Sequence, residues 1–127
     1  MTVAFWCVLV AAIIPYLSIV HSKSTARFIK ENYNKNPREY EEALEGARKR
    51  SYWAQLNGFE AFPPFAAGVI IAHITGADQG TVDTLAVAFI ACRLVYGVMY
   101  AIDQDKLRSL VWAGGVACVV GLFVISA

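Results

Sequence analysis

Histidine is scarce in this 127-residue chain, cysteine pairs are absent, and Arg93 alone among the Lys and Arg residues lies outside two stretches. Only His21 and His73 are present, and they lie far apart. The three cysteines, Cys7, Cys92 and Cys118, all fall in apolar runs and form no CxxC. An odd number so placed argues against a disulfide framework. Small apolar packing residues are the expected role. With no His/Cys cluster, no metal site is expected. Charge is scarce as well: Asp, Glu, Lys and Arg make up 17% of residues, against 57% hydrophobic, where a soluble domain averages ~25% charged. The net charge of +1 says nothing about nucleic acid, and no nucleic-acid partner is expected. The first residues, "MTVAFW", carry no basic n-region, and no A-x-A site precedes "HSKS". The first apolar segment therefore reads as a retained span rather than a cleaved signal, with a kink expected at Pro15.

What is present is arranged in blocks. Residues 3–20 and 109–127 carry no charge, residues 51–77 carry only Glu60, and residues 84–102 carry only Arg93. A bilayer-crossing helix needs about 20 mostly apolar residues, so four spans are expected, at about 3–21, 50–75, 83–102 and 108–126. Backbone polar groups in lipid must be satisfied internally, which makes the fold class an all-α, integral membrane four-helix bundle in a single domain, 1–127. Eight of the eleven Lys and Arg residues lie in 22–50, Lys106 and Arg108 lie in the 103–108 link, and the 78–83 link has none. By the positive-inside rule the loops 22–49 and 103–108 face the cytoplasm, and both termini face the opposite side. The expected location is an inner or cell membrane, crossed several times. Within the first loop, "NPRE" at 36–39 offers Asn36 as N-cap, Pro37 at the first helical position and Glu39 in the capping-box place. "EYEEALEGARKR" continues in helical style toward the second span with a bend at Gly46, and Glu41, Glu42 and Glu45 read as a solvated face.

The polar residues inside the spans carry the chemistry. Arg50, Trp53, Asn57, Glu60 and Pro64 are spaced by 3, 4, 3 and 4, so at ~3.6 residues per turn they share one face. Arg93, Tyr96 and Tyr100 do the same in the third span. Glu60 lies about 15 Å in from Arg50 at ~1.5 Å per residue, and Arg93 lies at a similar depth counted from Asp103. Two opposite charges at matched depth suggest a pair. One reading is a buried salt bridge that fixes helix register, which need add no net stability. The other is a polar cavity open to the cytoplasm, because intramembrane charges normally face a bundle interior or a water-filled cavity. Its rim would be Arg50 and Arg108, and its walls Asn57, Glu60, Arg93, Tyr96 and Tyr100. Such a site suits a small molecule with a carboxylate for arginine and an ammonium for Glu60, with Asn57 supplying both a donor and an acceptor. Trp6, Trp53 and Trp112 read as interfacial anchors, and Ala113, Ala117 and Gly121 as a helix-packing stripe.

"N-x-x-E-x-x-P/PF" in the second span, "RLVYGVMY" at 93–100 and "LRSL" at 107–110 together resemble the MAPEG family, the membrane-associated proteins of eicosanoid and glutathione metabolism. The resemblance covers nearly the whole chain. It implies a homotrimer of four-helix subunits with glutathione as co-substrate, held between neighbouring subunits near the cytoplasmic side. Asn57, Glu60, Arg93 and Tyr96 would contact the tripeptide, with Arg50, Tyr100 and Ser109 assisting. Arg108, at the start of the fourth span, would stabilise the glutathione thiolate. The implied activity is that of a transferase or peroxidase acting on a lipophilic electrophile or lipid peroxide that enters from the bilayer. Members with glutathione activity often carry a further arginine one turn before the asparagine, where this chain has Trp53. Two other readings stand beside this one. The first is a MAPEG-fold protein that binds another ligand, or only itself. The second is a small four-span proton-coupled transporter, against which the uncharged first span argues.

Overall fold

A computed structural model describes residues 1–23 and 35–127; Arg27 and Lys30 of the basic loop lie outside them. The described residues form five helices and no strand: α1 (Val3–Lys23), α2 (Pro37–Glu42), α3 (Gly46–Thr75), α4 (Gln79–Ala101) and α5 (Asp105–Val124). Four of them, α1, α3, α4 and α5, are long and apolar enough to cross a membrane, so the protein is an all-helical integral membrane bundle. At 30 residues, α3 is about 45 Å long at ~1.5 Å per residue and overhangs a hydrocarbon core of ~30 Å. Around the bundle, α1 packs chiefly on α3 and α5 chiefly on α4; α1 also meets α4, α3 meets α5, and α3 and α4 touch across the middle.

The charged run before the second span is broken where one bent helix was expected. Helix α2 ends at Glu42, and Gly46 opens α3 with φ +60°, a left-handed conformation that glycine adopts at little cost. At the start of α2, the Asn36 amide does not cap the backbone. It donates to Glu39 instead, at 3.1 Å. Glu42 and Glu45 are solvated as expected, but Glu41 is only 8% exposed. Lys49 folds back from α3 to donate to the carbonyls of Glu41 and Glu42, which ties the two helices and draws the α2 end inward.

Helix α1 runs through Pro15 without a break. Pro15 is buried against Gly58 of α3, where an added Cβ would stand 2.8 Å from the proline Cγ. Glycine is therefore favoured there by the close approach of the proline ring to the α3 backbone. The apolar core joins Ala4, Cys7 and Ala11 of α1, Phe65, Val69 and Ala72 of α3, Val82, Ala86 and Phe89 of α4, and Leu122 of α5. Its centre is the stacked pair Phe65–Phe89, with ring centroids 3.9 Å apart and planes 8° from parallel. All three cysteines are free. At the same end, Asp83 of α4 accepts from the Ala4 N–H and from Gln79, both at 2.8 Å. A carboxylate thus joins Thr2, whose hydroxyl accepts from the Phe5 N–H at 3.3 Å, in capping the N-terminus of α1, where the helix dipole favours negative charge.

Two helix ends share one motif. After α3, the Gly76 N–H donates to His73 and the Ala77 N–H to Ala72. After α4, the Asp103 N–H donates to Tyr100 and the Gln104 N–H to Met99. Both are Schellman caps, in which the residue after the cap takes a left-handed conformation. Gly76 does so at φ +74° and Asp103 at φ +59°. Glycine is the usual occupant, because a side chain there costs about 1–2 kcal/mol, somewhat relieved for Asp and Asn.

Candidate functional site

The polar half of the bundle is built on α3, α4 and the first turns of α5. The expected faces do meet. Arg93 of α4 points into the bundle and is 6% exposed. One terminal nitrogen donates to the Asn57 carbonyl oxygen at 3.0 Å, and the guanidinium lies 4.4 Å over the Tyr96 ring, a cation–π contact. Asn57 in turn donates to Glu60 at 3.4 Å. Glu60 and Arg93 therefore do not pair directly within the chain. Asn57 stands between them, accepting from the cation and donating to the anion, as only an amide side chain can. The matched depths were legible in the spacing, but Glu60 points outward from α3 and is exposed, so the two heads do not converge.

Arg93 is left with donors to spare. A guanidinium offers five N–H groups, and among the described residues Asn57 takes the one hydrogen bond it makes. Its carbon face is covered by Tyr96, while part of its edge opens on a cavity of about 310 Å³. Asn57, Glu60 and Arg93 line one end of this cavity; Pro64, Phe89, Gly115, Val116 and Val119 form an apolar end. A second cavity of about 460 Å³ is lined by Tyr96, Tyr100, Arg108, Ser109, Trp112 and Ala113. Trp112 lines both cavities and is the wall between them. Trp112 reads from the sequence as an interfacial anchor, but its position four residues after Arg108 puts it on the same face of the helix.

A ladder of rings and cations connects the two chambers. Tyr96 meets Tyr100 edge to face at 5.1 Å, and the Arg108 guanidinium lies 4.4 Å over the Tyr100 ring. Arg93 and Arg108 thus sit at opposite ends of a tyrosine pair. This arrangement spaces two positive charges while leaving their N–H edges available. The Ser109 hydroxyl donates to the Asp105 carbonyl at 3.1 Å and keeps its acceptor lone pairs. Arg50 lines neither cavity. Its Nε donates to the Tyr100 carbonyl at 3.1 Å and lies 3.7 Å from the Asp103 carboxylate, so it braces the α4–α5 link beside the second cavity. Trp53 is 47% exposed and also lines neither. Of the eight expected site residues, the structure gathers Asn57, Glu60 and Arg93 at one chamber and Tyr96, Tyr100, Arg108 and Ser109 at the other, with Arg50 outside both.

The arrangement offers a buried cation with unmatched donors, an outward carboxylate bridged to it by an amide, and a second cation beside a hydroxyl. It can hold an amphoteric small molecule by its charged ends and steady a developing anion near Arg108. No curated protein and no solved structure matches the chain. The sequence model of the MAPEG family matches residues 3–127. Together with the four spanning helices, this match shows that the chain belongs to the MAPEG family.

Proposed function

We propose that this protein is a membrane-embedded, glutathione-dependent transferase or peroxidase whose acceptor is a lipophilic electrophile or a lipid hydroperoxide. The observation that carries the reading is Arg93: a buried guanidinium with donors unmatched by any carboxylate among the described residues, opening on a cavity beside Asn57 and Glu60. Paired donors of this kind suit a carboxylate. Glu60 suits the ammonium of the same tripeptide, and Asn57 holds the two side chains in register. Tyr96 and Tyr100 supply ring faces along the peptide. Ser109 supplies a hydroxyl near the thiol, and Arg50 steadies the link from which Arg108 projects.

A free thiol has a pKa near ~8.5, so little is ionised at neutral pH. The Arg108 guanidinium lowers the energy of the thiolate, and the proton leaves to solvent at the cavity mouth. The thiolate then attacks a carbon centre, forming an S–C bond as the leaving group departs with its electron pair. With a hydroperoxide, the sulfur takes the terminal oxygen, the alkoxide leaves and is protonated, and a second glutathione reduces the sulfenic acid to give the disulfide and water. The apolar end of the 310 Å³ chamber suits the lipophilic partner.

The exposed Glu60 also bears on assembly. A carboxylate left exposed near mid-membrane costs at least ~2.5 kcal/mol on insertion scales, so a neighbouring subunit closing over this side of the cavity is favoured and a homotrimer is the proposed state. The loops 22–49 and 103–108 are proposed to face the cytoplasm, which would admit glutathione from that side. A second reading, a MAPEG-fold protein with another ligand, is favoured by Trp53 in place of a further arginine. The test is Arg108→Ala. Turnover with glutathione and cumene hydroperoxide should fall about 10²-fold, the scale of losing one charge-stabilising donor, and the thiolate absorbance of bound glutathione should fade. Unchanged turnover removes Arg108 from the chemistry.

A further inference from the structure

The two Schellman caps differ in a way that the backbone does not require. Gly76 fills the left-handed position after α3, and nothing lies near it that a side chain would meet. Asp103 fills the same position after α4, where glycine would be easier. What the aspartate adds is a carboxylate 3.7 Å from Arg50. The arginine itself is fixed by a different bond, from its Nε to the Tyr100 carbonyl. Its two terminal nitrogens, the fork that grips carboxylates in parallel, make no hydrogen bond among the described residues. The side chains are 25% and 66% exposed. Arg50 is therefore an anchored cation with a loose, solvent-facing counter-ion, and pairs of that kind exchange readily. The same Tyr100 carries Arg108 over its ring, so Arg50 stands one residue's width from the second cavity.

We propose that Asp103 is a built-in competitor for Arg50: its carboxylate lies 3.7 Å from Nε and offsets the guanidinium charge in the free protein, so an anionic ligand that takes the open terminal nitrogens must compete with it. Relieved of that offset, Arg50 acts with Arg108 as a second cation beside the site, which supplies the positive charge that Trp53 does not. The contact sets a threshold: weakly anionic molecules gain little from the offset cation, and a ligand with a well-placed carboxylate outcompetes Asp103. Glutathione as that ligand rests on the proposed function above; the competing contact itself does not.

The experiment is glutathione binding by calorimetry on detergent-purified protein in four forms: wild type, Asp103→Asn, Arg50→Ala and the double variant. Asparagine adopts the left-handed region as readily as aspartate, so Asp103→Asn keeps the cap and removes only the charge. Asp103→Gly, easier still for the backbone, should behave alike. Asp103→Asn should bind about two- to fivefold tighter, the scale of an exposed ion pair, or bind where wild type does not. Arg50→Ala should bind more weakly, and adding Asp103→Asn to it should restore nothing, a coupling that a general change of charge would not produce. Equal or weaker binding by Asp103→Asn, or a gain that persists without Arg50, overturns the competitor while leaving the glutathione site standing. Absence of glutathione binding in all four folded forms overturns the glutathione reading and this proposal with it.

Discussion

The two halves of the bundle use the same helices for opposite ends. Toward the α3–α4 link, Ala4, Cys7, Phe65, Val69, Val82, Ala86 and Leu122 make a dry core, and the polar groups there are matched: Asp83 closes on the α1 N-terminus and on Gln79. Toward the α4–α5 link, Arg93 is buried with donors to spare, Glu60 points out, and two cavities remain open on either side of Trp112. Phe89 is the boundary, stacked on Phe65 on one side and lining the Arg93 cavity on the other. Buried apolar packing is concentrated in the first half, whereas unmatched chemistry is concentrated in the second. Natural sites commonly hold such unmatched groups at the expense of stability.

The largest break in this comparison should come from Phe65→Ala. Removing a fully buried ring stacked on Phe89 is expected to cost about 3–5 kcal/mol. A fall in the thermal midpoint in detergent would register it, and a loss under ~1 kcal/mol would mean the dry half does not hold the bundle together. Arg93→Met should do the reverse. An apolar side chain of similar length removes a buried, unmatched charge, so the thermal midpoint should hold or rise, while glutathione binding falls at least about tenfold, the scale of a lost charged hydrogen bond. A drop in stability like that of Phe65→Ala would make Arg93 a structural residue.

Smaller effects sharpen the contrast at the dry end. Asp83→Ala should cost about 1 kcal/mol, the usual worth of a helix cap, and should leave ligand binding untouched because Asp83 is on the far side of Phe89. Equal losses of both would show that the halves are coupled. Least of all, Asp78 caps α4 by accepting from the Thr81 hydroxyl and N–H at 2.7 and 2.9 Å, and these bonds hold its carboxyl below the usual carboxylate range. Its contribution is present above an unfolded value of ~3.9 and is lost as pH falls through the lower folded value. Asp78→Asn should therefore flatten the pH dependence of stability slightly in that acidic window and nowhere else; a difference from wild type that grows above pH ~5 would contradict the assignment.

Much of this was readable in the chain. Uninterrupted apolar runs located the four spans, because lipid tolerates so few alternatives. The spacings of Asn57 and Glu60, and of Arg93, Tyr96 and Tyr100, put these residues on common faces, because helical periodicity is rigid within one element. Relations between elements were less legible. Asn57 as the bridge between Glu60 and Arg93, Trp112 as the wall between chambers, and Asp83 as the cap of α1 all depend on how helices rotate against one another, which no single segment encodes. The break before α3 escaped for a local reason: Gly46 takes a left-handed conformation there, and a helical charge pattern continues across it unchanged. Pro15 is also a contact that one segment does not reveal, since its ring fills the space that Gly58 leaves.

The most direct test of the central claim, that Arg93 is held buried for a ligand rather than for the fold, is calorimetric titration of glutathione into the purified protein and into Arg93→Met. The account predicts micromolar to millimolar binding by the wild type and none by a variant that melts at the same temperature or above. Equal binding by both, or no binding by a folded wild type, would contradict it.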